Sequence, residues 1–101
     1  LSMRVVADVN VTPIGAGASL SAHIAACEEV IEEAGLKYRL HAHGTNLEGS
    51  WEEVMQVVQR CHDVLHERGA PRVDSAIRLA TATDKDQSLE GRIDKVERKI
   101  G

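Results

Sequence analysis

Residues 36–54 read LKYRLHAHGTNLEGSWEEV, and their order decides which fold the chain can adopt. Leu36, Tyr38, Leu40 and Ala42 alternate with Lys37, Arg39, His41 and His43, the period of two that marks a half-buried strand. Gly44 to Gly49 then has room for a turn and a short or irregular third strand. Ser50, with Glu53 three residues on, makes a capping box, in which each side chain satisfies an orphan amide at a helix start. Strand, strand and helix therefore follow one another without a long linker. The same bend gathers two histidines, a threonine, an asparagine, a glutamate and the only tryptophan of the chain, which suits a pocket lining as well as a connection.

Upstream, RVVADVNVT (4–12) alternates Val5, Ala7, Val9 and Val11 against Val6, Asp8, Asn10 and Thr12, a first half-buried strand. PIGAGAS (13–19) breaks it with Pro13, Gly15 and Gly17, and Ser19 is placed to accept a backbone N–H at the next helix start. Leu20, Ile24, Cys27, Ile31 and Ala34 recur at helical spacing until Gly35 supplies a stop. Downstream, Val54, Val58, Cys61 and Leu65 carry the stripe of a second helix to Gly69. RVDSAIRLATA (72–82) alternates as a further strand, TDKDQ ends it, and Leu89, Ile93, Val96 and Ile100 mark a last helix that Gly91 weakens. The order βαββαβ plus a C-terminal helix predicts an α+β, ferredoxin-like sandwich, with four antiparallel strands carrying both main helices on one face. The other face would hold Asp8, Asn10, Arg39, His41, Asp74 and Arg78, a mixture that suits a polar subunit interface and an exposed wet surface equally.

At 101 residues the chain fits one domain, expected over residues 3–101. Leu1 and Ser2 precede Met3, the expected native start, and read as an appended remnant. With one Trp, one Tyr and no Phe, aliphatic residues must supply nearly all the packing, and a core that small gains from subunit contacts. The net charge of −4 argues against a general nucleic-acid binder, which needs clustered Lys and Arg. No apolar run approaches the roughly 20 residues that cross a bilayer, so no membrane partner is expected and a cytoplasmic location is. Cys27 and Cys61 are too few for a disulfide framework and fall on apolar helical stripes, as core thiols do.

Reaction chemistry finds little support. His41 and His43 share a strand face, and His62 and His66 share a helical face, but neither pair has a further ligand at a recognised spacing, so no metal is expected. HDVLH lacks the glutamate of the metalloprotease helix. PIGAGAS is glycine-rich but matches no nucleotide fingerprint; it reads as a tight turn whose following helix could still meet a polar ligand group. No nucleophile elbow marks a triad. DKD at 84–86 reads as a solvated loop cluster. Trp51 is either a core anchor or a platform for a flat cation, with Glu48 as an acceptor beside it.

Taken together, VTPIGAGASLS, LKYRLHAHGTNLEGSWEEV, GAPRV and TDKDQSLEGRIDKV resemble the thiamine-binding protein-like family, related to the YkoF-like ferredoxin-fold domains. The resemblance covers nearly the whole chain from Met3. It implies a non-catalytic binder of thiamine or its pyrimidine moiety, hydroxymethylpyrimidine, with no separate cofactor, assembled as dimers that pair into tetramers. Carried over by matching position, the implied pocket involves Thr12, Ile14, Gly15 and Ser19 from the first loop and helix start, and His43, Gly44, Thr45 and Asn46 from the second. Trp51 would lie near them, and Asn10 is counted with the ligand-binding residues. Two other functions stay open on sequence: a small salvage enzyme using His43 and Glu48 as acid and base, and a structural or regulatory oligomer that works through the open sheet face.

Overall fold

The computed structural model describes residues 3–15, 17, 20–83 and 89–100. Its elements are β1 (Arg4–Ile14), α1 (Leu20–Ala34), β2 (Lys37–His41), β3 (Gly44–Ser50), α2 (Trp51–Glu67), β4 (Arg72–Ala80) and α3 (Leu89–Ile100). One antiparallel sheet runs in the order β2-β3-β1-β4, with α1 and α2 packed on one face, which is the ferredoxin-like arrangement expected from the periodicities.

The core follows the inward half of each alternation. Val5, Ala7 and Val9 of β1 and Leu47 of β3 pack against Cys27, Val30 and Ile31 of α1 and against Val54, Val58, Cys61 and Leu65 of α2. Cβ-branched residues fill most of these positions, a choice that stiffens side chains while adding little volume. Gly35 and Gly69 end α1 and α2 with φ of 74° and 101°, the left-handed region where a side chain is strained. The capping box at α2 is complete: the Ser50 amide donates to Glu53 Oε1 at 2.9 Å, and the Glu53 amide donates to Ser50 Oγ at 3.1 Å. Trp51 donates its own amide to the Met3 carbonyl at 2.8 Å, tying the start of α2 to the start of β1.

Several expectations are corrected. The third strand is regular, seven residues from Gly44 to Ser50, because each of its residues finds a partner on β1 or β2. β2 stops at His41 and the hairpin turns on Ala42 and His43. Tyr38 and Leu40, on the expected inward face of β2, are exposed, since β2 is the sheet edge and neither helix reaches over it. β1 continues two residues past Thr12. It tolerates Pro13 there because past Val9 only β4 flanks it, so one side of the strand needs no ladder N–H. β4 ends at Ala80, where its pairing with Val6 of β1 runs out.

The second face of the sheet is not bare. α3 crosses it, with Ile93 half-buried beside Val6 and Ala80, and Glu90 approaches Lys37 at 3.9 Å. Val96 and Ile100 of the same stripe remain exposed. Across this face the ladder lines up Arg39, Asn46, Asp8 and Arg78 as direct neighbours. Among the described residues no helix is long and apolar enough to cross a membrane.

The hydrogen bond from the Ser50 amide holds the Glu53 carboxyl below its ordinary value of 4.5. Because the folded state favours the ionised form, the cap stabilises fully above that ordinary value and is lost as pH falls through the lower folded one. Melting curves between about pH 6 and about pH 3 should therefore fall less steeply for Glu53→Gln than for the native chain. Parallel curves would show that the cap carries no acid sensitivity.

Candidate functional site

Where β1 outruns β3, the sheet opens beneath the first half of α1, and a cavity of about 260 Å³ lies in the gap. Its walls are apolar: Val9 and Val11 from β1, Ile24 and Ile31 from α1, and Cys27 with Cys61 between the helices. Exposed Leu20, Ile24 and Leu40 form its mouth. Against those walls stand a few polar groups, Asn10, Thr12, Glu28, His43 and Thr45, the balance of a small-molecule site.

Each polar group is held by a neighbour. Thr45 pairs with Val9 and so belongs to the inward row; it is 3% exposed, and its hydroxyl donates to Glu28 Oε1 at 2.6 Å. Asn10 Nδ2 donates to the His43 carbonyl at 2.5 Å, stitching the hairpin turn to β1, and the Thr12 hydroxyl donates to Asn10 Oδ1 at 2.9 Å. The His43 amide reaches His41 Nδ1 at 3.2 Å, and His41 Nε2 lies 2.6 Å from Asp8 Oδ1. An amide can only donate, so Nδ1 is the acceptor here and Nε2 is the ring nitrogen turned toward Asp8. Gly44 lets β3 start hard against β1: a Cβ there would stand 2.6 Å from the Val9 carbonyl oxygen, so this close approach requires its absence.

The two thiols are free and buried. Cys61 Sγ donates to the Cys27 carbonyl at 3.9 Å; its thiol contact with Cys27, and then burial, push its pKa upward, so it is held as a thiol and not a thiolate. His23, buried on the seam between α1 and α2, accepts from Arg68 Nε through Nδ1 at 3.4 Å and does not line the cavity.

The residues expected at the site are thus divided. Asn10, Thr12, His43, Gly44 and Thr45 come together around the cavity. Ile14 ends β1, paired with Arg72, and Gly15 follows it, where a Cβ would sit 3.1 Å from Pro71 Cγ. Ser19 and the DKD cluster at 84–86 lie outside the described residues. Asn46 points to the opposite face, into a groove of about 720 Å³ between the sheet and α3. Trp51 does not join the others: a regular β3 rises about 3.3 Å per residue and carries it roughly 20 Å beyond Gly44. Glu48, also buried on that opposite face, pairs with Arg4 at 3.3 Å and is about 15 Å along the strand from His43. Those two cannot act as an acid and base on one substrate. His62 and His66 are occupied locally, by Ser75 Oγ at 3.0 Å and the Ala70 carbonyl at 2.8 Å. Among the described residues no group of three His, Cys, Asp or Glu side chains is placed to hold a metal ion.

Glu28 is the site residue that sequence reasoning missed. Its signal was present: Leu20, Ile24 and Glu28 recur at i, i+4 and i+8, so a carboxylate continues an apolar row toward the core.

The sequence model of a family described as thiamine-binding protein matches residues 7–97. The UPF0045 protein sll0230 of Synechocystis is 45% identical over 96 residues, covering 95% of this chain and 79% of that protein. The UPF0045 protein ECM15 of Eremothecium gossypii is 35% identical over 99 residues, covering 97% of this chain and 94% of its own length. Among solved structures, the hypothetical protein MJ1052 of Methanocaldococcus jannaschii superposes with a TM-score of 0.86 at 29% identity, covering 94% of this chain and 97% of that one. A Thermotoga maritima protein, provisionally described as a thiamine biosynthesis/salvage protein, superposes at 0.77 with 25% identity, covering 92% and 98%.

Gly44→Ala tests the close approach of β3 to β1 at the edge of the cavity. Forcing a methyl against the Val9 carbonyl should lower stability by about 1–3 kcal/mol, the usual cost of overpacking, read from urea unfolding. An unchanged midpoint would mean that the strands part without penalty.

Proposed function

The chain belongs to the thiamine-binding protein family, and from that premise we propose that it binds thiamine or its hydroxymethylpyrimidine moiety for carriage, storage or salvage, without bond chemistry. The observation that carries this reading is the cavity under α1, where apolar walls surround Asn10, Thr12, His43 and Thr45. At about 260 Å³ it falls near the lower end of ligand pockets, the size for one enclosed heterocycle with the remainder of a longer ligand in the mouth. A planar base would stack between aliphatic side chains and exchange hydrogen bonds with amide and hydroxyl groups that the fold already orients. The wide separation of His43 and Glu48 speaks against the salvage-enzyme reading, and we take the protein to act by binding alone in the cytoplasm.

We further propose a homo-oligomer, a dimer of dimers, built on the face that α3 crosses. The row Arg39, Asn46, Asp8, Arg78 mixes both charges and so can meet a two-fold copy of itself, while Val96 and Ile100 leave an apolar stripe beside it.

Calorimetry on ligand-free protein should give dissociation constants of micromolar or tighter for thiamine or hydroxymethylpyrimidine, roughly −8 kcal/mol. Asn10→Ala should weaken binding by about 1–3 kcal/mol, since it removes a donor and frees the hairpin turn, whereas Asn46→Ala should leave it unchanged. Absence of heat with both ligands would refute the reading. Light scattering should report several copies per particle, and Ile93→Asp should shift the mass downward by placing an unpaired charge in the α3 contact. A folded monomer throughout the micromolar range would remove the oligomer.

A further inference from the structure

The carboxylate of Glu28 is the one acidic group among the described residues that line the α1 cavity; beside it stand the imidazoles of His41 and His43, and neither lysine nor arginine. Glu28 forms no ion pair among the described residues; its fixed partner is the hydroxyl of Thr45, a buried group that occupies one acceptor site on Oε1 and sets the rotamer. Oε2 and the remaining lone pair of Oε1 are left for a ligand.

An anionic acceptor in a small, mostly apolar cavity has definite preferences. It accepts the exocyclic amino N–H of an aminopyrimidine, and a second N–H if the ring is protonated, in the two-point geometry that makes carboxylate pairs strong. It also favours a ligand that carries fixed positive charge. A phosphate ester brings the opposite: two like charges at short range in a poorly screened space, with neither lysine nor arginine among the described lining residues to compensate the lost hydration. The first amides of α1 would attract a phosphate, but Glu28 stands two turns further along the same helix, facing the same cavity.

We propose that Glu28 is the specificity-determining residue of this cavity, admitting unphosphorylated, donor-bearing aminopyrimidines and excluding their phosphate esters. The inference rests on the reading that the cavity holds the heterocycle.

The test is calorimetric titration of the native chain and of Glu28→Gln with four probes: hydroxymethylpyrimidine, thiamine, thiamine monophosphate and thiamine diphosphate. Native protein should bind the first two at least tenfold more tightly than the diphosphate. That gap should shrink as ionic strength rises from about 20 to about 500 mM, because the Debye length falls below the size of the site. Glu28→Gln keeps the shape and one acceptor, so it should melt at the native temperature and lose most of the discrimination. Phosphorylated ligands binding as well as thiamine would overturn the proposal while leaving the pocket reading intact, and so would a folded Glu28→Gln with native selectivity. Should that variant not fold, the salt series on native protein decides, and a gap indifferent to salt overturns the assignment. If none of the four probes binds, the pocket reading fails and the selectivity falls with it.

Discussion

The feature on which the rest depends is the unequal flanking of β1. Its first half is paired on both sides, but past Val9 only β4 accompanies it, because β3 begins at Gly44 and the chain has just turned there. A sheet that narrows beneath a helix leaves unfilled volume, and the aliphatic residues of this chain are too small to fill it. What would otherwise be a packing defect becomes a walled space, bounded by α1 above and by the hairpin turn at its side. The Asn10 to His43 hydrogen bond holds that turn in place, so the polar groups around the space are oriented by the fold itself. Preorganisation of this kind lowers the ordering cost of binding.

Side-chain parity then sorts the two faces. Thr45 belongs to the inward row with Val9, and Asn46, its neighbour, belongs to the outward row with Asp8. A single residue along the strand therefore separates the enclosed cavity from the broad groove under α3. The outward row is polar because it is not a core, and α3 covers only part of it, with Ile93 half-buried against it and Val96 and Ile100 left in the open. The Asp8 and His41 pair links the two regions, since the same imidazole that meets Asp8 on the open face accepts the His43 amide at the cavity rim. The cavity rim and the open face thus share one hydrogen-bonded chain.

Much of this was legible in the residues alone. Period-two and helical alternations located six of the elements, the Ser50 and Glu53 pair marked the start of α2, and glycines at 35 and 69 marked the ends of α1 and α2. Five of the expected ligand-binding residues, Asn10, Thr12, His43, Gly44 and Thr45, do surround one cavity. These are statements about local chemistry, and local chemistry is what a sequence determines: which face of a strand is apolar, where an amide finds a cap, where the chain must turn.

Only the tertiary structure decided which of the expected residues meet. The stretch from Gly44 to Trp51 reads as one corner, yet Gly44 to Ser50 is a straight strand, and its extended backbone carries Trp51 to the opposite end of the sheet from Gly44. Trp51 went with Met3 and Asn46 with Arg39 and Asp8, because strand register and the alternation of faces, not nearness in sequence, assign neighbours. Glu28 entered the site for the converse reason. It is distant in sequence from Thr45, but α1 packs across the sheet at the height of that residue, and a carboxylate on a helix flank meets a hydroxyl on a strand only once the two layers are stacked.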